Sequence, residues 1–304
     1  MVKPNFFIVG APKCGTTALS EYLRSHPNIF MSDPKEPHYF AEDFPKHRLA
    51  RTLEEYLELF QDASQNHQAV GEASVWYLRS DIALKNIYQF NPQAKIIVML
   101  RNPAQMVPSY HSQARYNCDE SEQDFERAWN LQWERAQGRN IPRLCKEPKT
   151  LQYGKIARFG EQIEKLLNIF PRQQIQIIWY EDFAADTPKV YENVLNFLTI
   201  PSDGRVNFER VNSNKNHRFN ILGKLSEKPP KSIVSFAMKA KQMIGLEKLG
   251  IIEQIRAINK QEKKRQLLSS KLYSEIIAEY QEDIDKLSKI LDKDLSSWKS
   301  APKY

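Results

Sequence analysis

Short apolar runs alternate with longer amphipathic stretches over most of the chain. Phe6–Val9, Asn28–Met31, Lys95–Leu100 and Ile175–Trp179 are too short for buried helices and read as buried strands. Helical spacing appears over Thr16–Ser25, where Leu19, Tyr22 and Leu23 share a face, and over Ser80–Phe90, which Asn91-Pro92 stops. Further helices are predicted from Pro103 to about Tyr116, over Ser121–Gln137, over Thr150–Phe170 (ended by Pro171) and over Thr187–Leu198, opened by Thr187-Pro188. Residues 199–230, rich in Asn, Lys and Pro, read as a long loop. Beyond about 231 the pattern is helical, most clearly over 267–291. Strands alternating with helices predict an α/β fold: a central parallel sheet flanked by helices, with a helical C-terminal part, in a single domain spanning 1–304.

Composition narrows the class. Of 304 residues, 41% are hydrophobic and 27% charged, which suits a packed core and excludes a disordered chain. The longest aliphatic run is Ile96-Ile97-Val98-Met99-Leu100, far short of the ~20 residues of a membrane span. The apolar stretch near the N-terminus is too short for a signal peptide. Cys14, Cys118 and Cys145 are odd in number and unpatterned, so neither a disulfide framework nor a metal cluster is expected. A soluble, cytoplasmic protein is the expectation, without stable membrane insertion or a nucleic-acid partner. The net charge is +7, and residues 224–265 alone hold eleven Lys or Arg against four Glu. That stretch reads either as a solvated helix face or as an anion-seeking surface. Its interspersed apolar residues suit a helical lid or insertion over one edge of a site.

The strongest local signal is Phe6-Phe7-Ile8-Val9-Gly10-Ala11-Pro12-Lys13-Cys14-Gly15-Thr16-Thr17. A strand runs into a Gly-bounded loop that opens a helix, so backbone N–H groups and the positive helix end face an anion. Lys13 adds a point charge, and Thr16 and Thr17 add hydroxyl donors. A nucleotide triphosphatase loop would place Lys directly after the second Gly; here Thr16 stands there. No magnesium-binding Asp ends a strand either, since Arg101 follows Leu100. Gly-x-x-Lys-x-Gly-Thr-Thr after the first strand resembles the 5′-phosphosulfate loop of sulfotransferases that use 3′-phosphoadenosine 5′-phosphosulfate (PAPS), nearest their bacterial and glycan-type branch. The resemblance covers roughly residues 4–200. It implies a P-loop-like fold, a donor site at Lys13, Cys14, Gly15, Thr16 and Thr17, the product 3′-phosphoadenosine 5′-phosphate (PAP), and no metal.

Arg101 and Ser109 follow the strand ending at Leu100. An Arg fork with a hydroxyl is suitable phosphate chemistry beyond a strand's carboxyl end, and the pair resembles the family's 3′-phosphate site. Arg218, in Asn214-Lys215-Asn216-His217-Arg218, resembles a further contact from a basic loop over the nucleotide. Sulfonate transfer also needs a base for the acceptor and positive charge for the leaving phosphate oxygen, a role suited to Lys13. Glu36 and His38, in Asp33-Pro34-Lys35-Glu36-Pro37-His38-Tyr39-Phe40, are two possible bases. The segment resembles the Glu-x-His-Phe-Phe element of glycan sulfotransferases, which implies Glu36 as base and His38 as its neighbour. Gly71-Glu72-Ala73-Ser74-Val75-Trp76-Tyr77 resembles a further element, with Ala73 where some members carry Lys. Trp76 and Tyr77 either line an acceptor pocket or belong to the core. The acceptor stays open at this point: a sugar, a lipid or a small natural product with a hydroxyl or amine. Two rival readings are a P-loop small-molecule kinase and a binding module for anionic glycans.

Overall fold

The computed structural model describes residues 2–209, 211, 215–217, 260–262 and 268–300. Arg218 and nearly all of the expected lid, 224–265, lie outside the described residues. Five strands, β1 (Phe6–Gly10), β2 (Ile29–Met31), β3 (Ala69–Ala73), β4 (Lys95–Leu100) and β5 (Ile175–Trp179), form one sheet in the order β2-β3-β1-β4-β5. Every pairing in it is parallel. Two further strands, β6 (Lys215–His217) and β7 (Lys260–Glu262), pair antiparallel. Part of the expected loop 199–230 is therefore a strand, whose partner lies too far along the chain for a local pattern to reveal.

The described helices are α1 (Thr16–Arg24), α2 (Leu53–Glu58), α3 (Ala83–Phe90), α4 (Pro103–Tyr116), α5 (Phe125–Asn130), α6 (Gln132–Ala136), α7 (Tyr153–Ile156), α8 (Phe159–Leu167), α9 (Tyr180–Ala185), α10 (Thr187–Leu198), α11 (Ser270–Leu291) and α12 (Ser296–Lys299). None is long and apolar enough to cross a membrane. The fold is the expected one, a parallel sheet with flanking helices and a helical C-terminal part. The described residues fall into two compact units. One comprises Met1–Val107, Tyr153–Val211 and Ser269–Tyr304 and holds the five-stranded sheet; the other comprises Pro108–Gln152 and Asn212–Leu268.

Phe6–Val9 on β1 and Ile96–Leu100 on β4 are completely buried, as strands covered on both faces must be. Each such side chain contributes about 1.5–3 kcal/mol by leaving water. Gly71 pairs with Phe6 across β3 and β1, and a Cβ there would stand 2.5 Å from the Phe6 ring. That ring is itself completely buried. Gly71→Ala is therefore expected to destabilise the protein by about 1–3 kcal/mol, read as a lowered midpoint in urea unfolding.

Two expected helices differ from the observed ones, and in each a buried carboxylate captures backbone amides, at the start of the first and inside the second. Over Ser121–Gln137, the Glu120 carboxylate accepts hydrogen bonds from the Ser121 and Glu122 amides, both at 2.8 Å, and Arg135 grips it with two nitrogens. The chain turns there, and α5 begins only where Asp124 caps it by accepting from the Arg127 amide. Over Thr150–Phe170, the Asp283 side chain on α11 accepts from the Gly160 and Glu161 amides at 2.8 and 2.9 Å. Those bonds create a fresh helix start, so α8 is separate from α7. The third difference is smaller. The helix expected from Ser80 begins at Ala83, because Ser80 Oγ accepts from the Ile82 and Ala83 amides.

Candidate functional site

Because the sheet is parallel, the segments after β1, β2, β3 and β4 all leave from its carboxyl edge, where α/β folds bind ligands. β1 is central, with β3 and β4 as its neighbours. The chain thus carries Lys13, Glu36, Ser74 and Arg101 to one edge of one sheet.

The loop after β1 is tied to β4 by the Ala11 amide, which donates to the Met99 carbonyl at 2.8 Å. Gly15 caps α1 in the left-handed region at φ 95°, and a Cβ there would lie 3.2 Å from Met99 and Phe183. Only glycine meets both demands at low cost. No side chain caps α1. Its first amides and its positive dipole end are therefore offered to an anion. Lys13 is half-buried and holds a left-handed backbone at φ 63°, a strain of about 1–3 kcal/mol that tends to gather at functional sites. Burial pushes the Cys14 thiol far above its ordinary range despite the nearby charges of Arg101 and Lys13. It stays protonated and is a small filler, not a nucleophile.

Arg101 is joined to this loop. Its guanidinium lies 4.2 Å from the centroid of the Tyr180 ring, and its Nη atoms donate to the Lys13 carbonyl at 3.4 Å and to Gln105 Oε1 at 3.2 Å. Its Nε is buried and has no partner among the described residues. A buried guanidinium donor left open beside an anion loop fits a phosphate group. Ser109 is buried on α4 and belongs to the second unit. Glu181, just after β5, accepts from the Asn102 amide at 3.3 Å. No group of three or more His, Cys, Asp or Glu among the described residues could hold a metal ion.

After β2 the chain passes along the end of β3. The Glu36 amide donates to the Ala73 carbonyl (3.1 Å), the His38 amide to Ser74 Oγ (3.0 Å) and the Phe40 amide to the Tyr77 hydroxyl (3.4 Å). Every second residue of the segment is thereby anchored. Glu36 and His38 take left-handed backbones at φ 64° and 50°. The Glu36 carboxylate is 38% exposed, with Lys35 Nζ at 2.7 Å and His38 Nε2 at 3.5 Å. Burial raises its pKa, but Lys35 and the His38 hydrogen bond more than offset that and hold it well below the usual carboxylate range. His38 is buried behind it.

Trp76 and Tyr77 are 4% and 0% exposed. Both belong to the core, Trp76 stacking on Phe44 and Tyr77 bonding Glu72. Glu72 is wholly buried and accepts from Ser74 Oγ (2.6 Å), the Tyr77 hydroxyl (2.7 Å) and the Tyr56 hydroxyl (3.1 Å). Burial raises its pKa from 4.5 to about 7, and the three hydroxyls, with the Lys35 charge, only partly counter that. The folded chain therefore binds a proton that the unfolded chain releases between those two values. Stability from this group is full below pH 4.5 and lost as pH rises towards 7, by up to about 3 kcal/mol. Unfolding of the wild type and of Glu72→Gln, compared at the two ends of that range, should show the wild type losing ground at the higher pH.

One partner in this site escaped the sequence reading. Lys35 pairs with Glu36, and its place next to the candidate base was the available signal. Tyr180, in the Tyr180-Glu181-Asp182 strand end that reads from the sequence as either site lining or structure, lies under Arg101.

A family profile described as "Sulfotransferase domain" matches residues 3–241. Carbohydrate sulfotransferase 15 of Mus musculus is 28% identical over 246 residues, covering 65% of this chain and 44% of that protein. Bifunctional heparan sulfate N-deacetylase/N-sulfotransferase 3 of Homo sapiens is 29% identical over 202 residues, covering 65% and 22%. The chain thus spans less than half the length of these curated relatives. A crystal structure of a sulfotransferase from Alicyclobacillus acidocaldarius shares the fold over 99% of this chain and 100% of that one, with a TM-score of 0.73 and 24% identity.

Proposed function

Because the chain belongs to the sulfotransferase domain family, we propose that it moves a sulfonate group from PAPS to a hydroxyl or amine of a carbohydrate or small-molecule acceptor. The observation that carries the donor assignment is Arg101, whose guanidinium holds the Lys13 carbonyl while its buried Nε stays open. It joins the anion loop to a second phosphate position. PAPS supplies an activated sulfonate on its 5′-phosphate and a 3′-phosphate as handle. The amides of Cys14, Gly15, Thr16 and Thr17 and the start of α1 would bind the 5′ end, with Lys13 stabilising charge on the leaving phosphate oxygen. Arg101 would take the 3′-phosphate. Glu36 would accept the acceptor's proton as the acceptor oxygen or nitrogen bonds to sulfur and the bond from sulfur to the phosphate oxygen breaks. His38, 3.5 Å away, would orient that carboxylate.

A sugar acceptor is supported by the relatives, which act on carbohydrate or heparan sulfate according to their names. The kinase alternative loses its footing with family membership, and a pure binding module leaves the Lys13, Glu36 and Arg101 arrangement without use. The test is incubation with sulfur-labelled PAPS and a panel of oligosaccharides, aminosugars, phenols and aliphatic alcohols. Label on a sugar is the expected result. Label on phenols alone would overturn the carbohydrate acceptor, and no label on any acceptor beside rapid donor hydrolysis would overturn the transfer.

A further inference from the structure

Glu72 is a buried carboxylate that the transfer reaction does not use. Burying a carboxylate is costly unless each oxygen finds donors, and this one finds three. Two of those donors also face the segment that carries the candidate base. Ser74 Oγ gives its proton to Glu72 Oε2 (2.6 Å) and accepts from the His38 amide (3.0 Å). The Tyr77 hydroxyl gives its proton to Glu72 Oε1 (2.7 Å) and accepts from the Phe40 amide (3.4 Å). A hydroxyl can point its proton two ways. Ionised Glu72, the form above about pH 7, accepts at both oxygens, which settles the choice and leaves the hydroxyl lone pairs for the amides. The segment so held includes two non-glycine residues in the left-handed region, Glu36 and His38, which stay there only if their surroundings fix them.

We infer that Glu72 is a positioning residue: acting through Ser74 and Tyr77, it fixes the backbone that presents Glu36 to the acceptor and keeps His38 beside it. Tyr56 marks the contrast. Its hydroxyl also bonds Glu72, at 3.1 Å, but no hydrogen bond joins that hydroxyl to the 36–40 backbone. The inference rests on the proposed base for its effect on turnover, though not for its effect on the backbone.

The experiment measures kcat, acceptor KM, PAP affinity and amide hydrogen exchange for Ser74→Ala, Ser74→Thr, Glu72→Gln and Tyr56→Phe. Ser74→Ala should lower kcat about ten- to a hundredfold, the cost of a slightly misplaced group, with PAP affinity nearly unchanged and the His38 amide exchanging faster. Ser74→Thr keeps the hydroxyl and should restore most of kcat. Glu72→Gln should speed His38 and Phe40 exchange. Tyr56→Phe should keep kcat within about twofold while losing a comparable hydrogen bond. Equal losses in Ser74→Ala and Tyr56→Phe, or unchanged His38 and Phe40 protection in Glu72→Gln, would overturn the inference. Should Ser74→Ala fail to fold, Tyr77→Phe offers the same comparison at the Phe40 amide. Full activity in Glu36→Gln would remove the base assignment alone, since amide exchange still decides for or against the positioning role.

Discussion

Replacing Glu36 by Gln should lower kcat by about 10²–10⁴, the usual worth of a general base, and leave PAP affinity nearly intact. The substitution keeps the shape and removes the charge that Lys35 and His38 face. PAP binding should survive because the donor loop belongs to β1 and α1, whereas Glu36 hangs from the end of β3. Lys13→Ala should instead damage turnover and donor binding together. The pH profile adds a second reading. The Glu36 pKa is lowered, so its base form is full throughout the range above the usual carboxylate values. No acid limb in kcat/KM should come from Glu36 near neutrality. A normal Glu36→Gln with an inactive His38→Ala would transfer the role to His38.

Arg101→Ala should weaken PAP about ten- to a hundredfold, from the loss of charge-assisted hydrogen bonds of about 1.5–3 kcal/mol each. An analogue lacking the 3′-phosphate should lose far less. It should still lose something, because Arg101 also holds the Lys13 carbonyl and rests on Tyr180. Arg101→Lys keeps the charge but neither the planar fork nor the stack, so it should recover only part of the affinity. Equal losses for both ligands, measured by calorimetry, would remove Arg101 from the 3′-phosphate position.

The elements that declared themselves in the sequence are those whose cause is local. β1, β4 and β5 are short apolar runs, and α10 has its cap and its proline at the start, Asp186 accepting from the Lys189 amide. The Gly10–Thr17 loop is likewise local, since its glycines and Lys13 are contiguous. What stayed hidden depends on distant partners. β3 reads Ala-Val-Gly-Glu-Ala, and a buried Glu looks like a solvent-facing one until Tyr56, Ser74 and Tyr77 are seen around it. The late start of α5 and the separation of α8 from α7 were hidden because periodicity carries no trace of Glu120 or Asp283 capturing amides. The joining of Arg101 to Lys13 follows from strand order, with β4 next to β1, and no single segment encodes that order.

The donor site is the core of the functional reading, and titration calorimetry with PAP in the presence of EDTA tests it most directly. Wild-type protein should bind PAP saturably without magnesium, Lys13→Ala and Arg101→Ala should bind it weakly, and ATP with magnesium should not compete. Absence of PAP binding, or binding of ATP that requires magnesium and excludes PAP, would contradict the assignment of Gly10–Thr17 and Arg101 to a phosphosulfate donor.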